Sequence, residues 1–131
     1  MTSSTMKKTI LVVEDFTSIR NFLCDTLERA GYATIATSNG NEAFGVLNNE
    51  TISVDLVLSD YNMPECTGLE LLNKIKGQTG TSKIPVIFLT TERDPEKMRE
   101  AQKAGLAAWV KKPYKADTFF ALIENAIVNG Q

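Results

Sequence analysis

The chain has 131 residues, 43% of them hydrophobic, enough material for one domain with a packed core. Fourteen basic and sixteen acidic side chains leave a net charge of -2 with the signs interspersed, so no basic face argues for nucleic acid or an anionic membrane. The apolar runs are too short to span a bilayer and the start lacks the apolar centre of a signal peptide, so a cytoplasmic protein without membrane attachment is expected.

Residues 1–8 are polar and small and read as a frayed start. Ile10-Leu11-Val12-Val13, closed by Glu14-Asp15, has the pattern of a buried parallel strand ending in two acids. Thr17 or Ser18 can cap the helix that follows, which carries Ile19, Phe22, Leu23, Leu27 and Ala30 at helical spacing and stops at Gly31. Residues 32–37 hold only Ile35 as a strongly apolar side chain, as expected of an edge strand. Asn39-Gly40 then turns the chain into a short helix with Ala43, Val46 and Leu47.

Leu56-Val57-Leu58 forms the third strand, and Ser59-Asp60-Tyr61-Asn62-Met63-Pro64 follows it as a loop. From Gly68 a helix carries Leu69, Leu72 and Ile75 as far as Gly77. Residues 84–89 form a fourth strand, with Pro85 near its start where a missing N–H is tolerated, and Thr90-Thr91 end it. Asp94-Pro95 opens a fourth helix that closes at Gly105. Residues 107–111 are the fifth strand, ended by Lys112-Pro113, and the last helix sets Phe119, Leu122, Ile123, Ala126 and Ile127 on one face. Such alternation implies an α/β fold, a doubly wound parallel sheet with helices on both faces.

The strand-to-helix corners on one rim of such a sheet each supply a polar group: Glu14 and Asp15, Asp60, Thr90 and Lys112. Three carboxylates without a histidine nearby ask for a cation, and oxygen donors of this kind suit Mg²⁺. With its charge partly neutralised, Asp60 can act as a nucleophile toward a phosphoryl group, while Lys112 and the Thr90 hydroxyl stabilise the equatorial oxygens. Cys24 and Cys66 lack metal-ligand spacing and read as reduced thiols.

Glu14-Asp15, Asp60 followed by Met63-Pro64 and Gly68, Thr90 at a strand end, and Lys112-Pro113 together resemble the motif set of the response-regulator receiver domain, over residues 8–128. The resemblance implies a flavodoxin-like (βα)5 fold with strand order 2-1-3-4-5, residues 1–131 being a single receiver domain. It implies that Asp60 accepts the phosphoryl group. It also implies that Asp15, Asp60 and the backbone carbonyl of Asn62 ligate Mg²⁺, that Glu14 acts through a water, and that the Lys112-Pro113 bond is cis. Trp109, three residues before Lys112, matches the aromatic that rotates inward when Thr90 moves, biasing the face made by the fourth helix, fifth strand and fifth helix. The implied phosphodonor is a sensor histidine kinase or histidine phosphotransfer protein, and the implied output is a downstream target protein such as the flagellar motor switch.

Phe16, Glu92 and the absence of an output domain resemble the single-domain chemotaxis (CheY-like) type, although a receiver cut from a larger regulator would look much the same. Such a protein is not an enzyme in the turnover sense, since it catalyses only its own phosphorylation and dephosphorylation. Two positions depart from the family pattern: Thr91, where a small residue is usual and where the extra bulk either narrows the approach to Asp60 or hinders the loop's inward movement, and Thr67, where an acid often precedes the glycine. An aspartate-nucleophile phosphatase would want a second acid where Asn62 stands. A nucleotide or flavin carrier would want a phosphate loop where Glu14-Asp15-Phe16 stands.

Overall fold

The computed structural model describes residues 7–130. Its strands are β1 Thr9–Val13, β2 Ala33–Thr37, β3 Leu56–Ser59, β4 Val86–Thr90 and β5 Ala108–Lys111. They form one parallel sheet in the order β2-β1-β3-β4-β5, with β2 on an edge as its sparse apolar content predicts. The intervening helices are α1 Thr17–Arg29, α2 Gly40–Leu47, α3 Gly68–Lys76, α4 Pro95–Lys103 and α5 Ala116–Asn129. The fold class and strand order are therefore those expected. The frayed start lies outside the described residues except for Lys7 and Lys8, which are exposed and precede β1.

Alternation along the strands divides the core into two layers. Leu11, Val13, Val57, Val86 and Phe88 face α2, α3 and α4, meeting Ala43, Leu71, Leu72, Ile75 and Ala101. Ile10, Val12, Leu58, Ile87 and Leu89 face α1 and α5, meeting Leu23, Leu27, Phe119, Ile123 and Ile127. Each fully buried Leu, Ile or Phe contributes about 1.5–3 kcal/mol, so both helical layers are firmly seated on the sheet. The exception is α4, in which only Ala101 is buried.

Several local expectations shift. Strand β4 begins at Val86 because the Ile84 N–H closes a turn on the Thr81 carbonyl and Pro85 has no N–H to offer, while its carbonyl accepts from Val57. Strand β2 begins at Ala33 because the Tyr32 N–H is used on the Leu27 carbonyl at the end of α1. Neither Thr17 nor Ser18 caps α1: the N-cap is Phe16, without a side-chain hydrogen bond.

Ile19 and Phe22 also leave the buried face assigned to them. Only Leu23 and Leu27 of α1 are buried, whereas Phe22 is 64% exposed, because the first turns of α1 overhang the rim where the sheet has ended. Among the described residues no helix is long and apolar enough to cross a membrane.

Candidate functional site at the carboxyl rim

Register brings the strand ends together. Val13 pairs with Ser59, Ser59 with Phe88 and Thr90 with Lys111, so the residues that follow these ends project from one rim. The Asp60 N–H donates to the Val13 carbonyl at 3.2 Å, which sets Asp60 beside Glu14 and Asp15. Carboxylate oxygens of Glu14, Asp15 and Asp60 lie within 4.8 Å of one another, and Lys112 Nζ is 3.8 Å from Glu14 Oε1.

The three acids differ in their surroundings. Glu14 is 2% exposed, its Oε2 accepts from the Phe16 N–H at 3.1 Å, and its carboxyl is pushed above the ordinary value of 4.5. Burial is the main cause, with the neighbouring Asp15 and Asp60 adding to it and the Phe16 N–H and Lys112 opposing it. Asp60 is half-buried, and its Oδ1 accepts the N–H groups of Tyr61 at 2.6 Å and Asn62 at 3.3 Å. Asp15 Oδ1 is buried and has no hydrogen-bond partner. A buried carboxylate oxygen left bare costs several kcal/mol by the order of magnitude of desolvation, so the cluster fits a hard, oxygen-seeking cation better than it fits the acids alone.

The fold fixes this geometry through residues beyond the acids. Gly68 starts α3 against the end of β3: a Cβ there would lie 2.7 Å from the Asp60 carbonyl oxygen and 2.8 Å from Tyr61 Cα. Thr67 caps the same helix, its Oγ1 accepting from the Glu70 N–H while its own N–H donates to Glu70 Oε1, so the residue in place of the usual acid completes a capping box. Arg20 reaches back from α1 and donates to the Glu14 carbonyl at 2.8 Å, a contact that no sequence pattern announces. Thr90 is fully buried, and its Oγ1 accepts the Glu92 N–H at 3.1 Å. Of the two adjacent lysines, Lys112 turns into the crevice and Lys111 is exposed.

Residues 10–124 match the response regulator receiver domain. The chain belongs to that family. The receiver is 32% identical over 123 residues to a chemotaxis protein CheY homolog of Campylobacter jejuni, covering 92% of this chain and 93% of the relative. It is 37% identical over 123 residues to the DNA-binding transcriptional regulator NtrC of Proteus hauseri, of which it covers 25%. Among solved structures, chemotaxis protein CheY4 of Vibrio cholerae superposes with a TM-score of 0.83 at 31% identity, over 92% of the receiver and 99% of that chain.

Beside the acids, the receiver holds an aromatic cluster. Tyr61 and Phe88 ring centroids are 5.7 Å apart, and Trp109 lies 5.4 Å from Tyr61 and 5.7 Å from Phe88. The Trp109 side chain is half-buried, with its Nε1 buried and unpartnered. Tyr61 supplies the aromatic shelf on which it packs. The Lys112-Pro113 bond is cis, as expected. Thr91 is exposed. Burial raises the pKa of both thiols, Cys24 and Cys66, which removes reactive character from each.

Proposed function

We propose that the receiver is a phosphoaccepting signalling switch whose acceptor is Asp60. The observation that carries this reading is the close set of Glu14, Asp15 and Asp60, with one buried carboxylate oxygen lacking a partner and Lys112 reaching in from the opposite side. Asp15, Asp60 and the Asn62 carbonyl would hold Mg²⁺, with Glu14, already engaged by Phe16 and Lys112, acting through a water. When bound, the ion would neutralise acid charge and phosphoryl oxygens.

With Oδ1 of Asp60 occupied by two backbone N–H groups, Oδ2 is the oxygen that attacks phosphorus. The O–P bond forms as the P–N bond of a donor phosphohistidine breaks, the electron pair leaving with the imidazole. Lys112 and the Thr90 hydroxyl then meet the transferred oxygens. For Thr90 this means giving up its present bond to the Glu92 N–H, and that movement biases Trp109 and the α4-β5-α5 face. Two features support this face as the output surface: α4 is loosely seated, and a groove between β5 and α5 is lined by Trp109, Lys111, Tyr114 and Leu122.

The donor is a sensor histidine kinase or a histidine phosphotransfer protein. An apolar groove lined by Ile19, Phe22, Leu89, Pro113 and Tyr114 also includes Lys112, so it runs into the acid crevice. With Phe16 63% exposed nearby, it offers a landing surface for the helix that carries the donor histidine.

We read residues 1–131 as a single cytoplasmic receiver of the chemotaxis type, phosphorylating and dephosphorylating itself without turnover of other substrates, with the flagellar motor switch as the candidate target. The NtrC similarity favours one alternative, a receiver that serves a larger regulator. Binding to a flagellar switch protein after phosphorylation would support the first reading, and its absence the second. The test of the acceptor is labelling by acetyl phosphate: the wild type should gain one Mg²⁺-dependent phosphoryl group and Asp60→Asn none. Equal labelling of the two proteins refutes the site.

A further inference from the structure

Lys97, on the first turn of α4, is spent on none of the roles above. Its Nζ lies 3.0 Å from Glu92 Oε1 and 5.4 Å from the centre of the Tyr61 ring. The same Glu92 oxygen accepts Asn62 Nδ2 at 3.2 Å, and Glu92 Oε2 receives the N–H groups of Arg93 and Asp94 at 3.2 Å. One lysine therefore links α4 to both residues that follow Asp60. The link matters because α4 buries only Ala101 and has little apolar grip of its own.

Glu92 is a fourth carboxylate on the rim, next to the loop that carries Asp60. Lys97 Nζ, Asn62 Nδ2 and the Arg93 and Asp94 N–H groups all donate to its carboxylate, an arrangement that suits the charged form. An ionised carboxylate beside an entrance for phosphorylated donors repels them unless a cation stands next to it.

We propose that Lys97 is a positioning residue for phosphoryl transfer to Asp60: it neutralises Glu92 at the mouth of the crevice and, through Glu92, fixes the side chain of Asn62. The proposal rests on the phosphoacceptor reading for its rate effect but not for its structural one. Lys97→Met keeps an unbranched side chain of similar length and removes the ammonium, and with it the charge, the hydrogen bond to Glu92 and the contact over Tyr61.

The experiment measures second-order phosphorylation rates with acetyl phosphate, and the ¹⁵N side-chain amide signal of Asn62, in the wild type and in Lys97→Met, Lys97→Arg, Glu92→Gln and the Glu92→Gln/Lys97→Met double variant. Lys97→Met should slow phosphorylation about two- to five-fold, the range set by one exposed ion pair, and should shift the Asn62 signal. The rate loss should shrink at high salt, and both Lys97→Arg and the added Glu92→Gln should restore the rate. An unchanged rate in Lys97→Met, or the same loss whether residue 92 is Glu or Gln, overturns the proposal. If the wild type accepts no phosphoryl group, the acceptor reading fails, and an unmoved Asn62 signal in Lys97→Met then separately refutes the positioning role.

Discussion

Glu14→Gln should make the metal-free receiver more stable at neutral pH. The substitution keeps the side-chain oxygen that accepts from Phe16 and removes the charge from the most buried acid of the cluster. At an effective dielectric near 20, each neighbouring carboxylate within 4.8 Å costs Glu14 roughly 3.5 kcal/mol, while the Lys112 ammonium at 3.8 Å returns about 4.4 kcal/mol. The balance is a net penalty of about 2–3 kcal/mol, which solvent around the half-buried Asp15 and Asp60 trims to about 1–2 kcal/mol. For a domain of this size that corresponds to a rise in Tm of about 4–8 °C.

The pH dependence carries a sign. A carboxyl raised above its unfolded value of 4.5 costs the fold nothing below that pH; the cost grows as pH rises toward the folded value and stays constant above it. The gain of Glu14→Gln should therefore be complete at pH 7.5 and vanish near pH 4, as read by thermal melts in EDTA. Adding Mg²⁺ should raise the wild-type Tm and narrow the gap. A Tm at pH 7.5 equal to or below that of the wild type, or a gain that persists at pH 4, would show that the buried Glu14 charge does not destabilise the fold.

Gly68→Ala should cost about 1–3 kcal/mol, since its Cβ meets backbone atoms of Asp60 and Tyr61 that cannot rotate away, and it should also slow phosphorylation; a melt matching the wild type would show that α3 yields freely. Thr91→Ala should speed phosphorylation by small donors at little cost in Tm if the extra bulk narrows the approach to Asp60, and equal rates would dismiss that idea. Trp109 should emit at short wavelength and resist iodide even before activation, because its Nε1 is already buried. Mg²⁺ with beryllofluoride should then change its emission only modestly, and Thr90→Ala should remove the change.

Much of this architecture is legible in short runs of residues. Buried parallel strands must be apolar on both faces, so Ile10 to Val13 and Leu56 to Leu58 stand out, and the polar groups that end them mark the rim. Periodicity shows which residues of α1 share a stripe but not where the sheet beneath it ends, which is why Ile19 and Phe22 read as core and prove exposed. Trp109 packs on Tyr61, 48 positions away in the chain, and the Asn62–Glu92–Lys97 link joins two loops and a helix. Contacts of that kind are created by strand register, and no local pattern announces them. Arg20 is legible only once the start of α1 is known to lie beside the Glu14 carbonyl.

In the proposed switch one side chain carries the phosphoryl group. Borohydride reduces an aspartyl phosphate to homoserine, so treating the receiver after exposure to acetyl phosphate and Mg²⁺, then mapping its peptides by mass spectrometry, locates the acceptor directly. Homoserine at position 60 and nowhere else, with none when Mg²⁺ is withheld, is the predicted result. Homoserine at position 15, or a stable phosphoryl group on a hydroxyl side chain with position 60 unmodified, would show that Asp60 is not the acceptor.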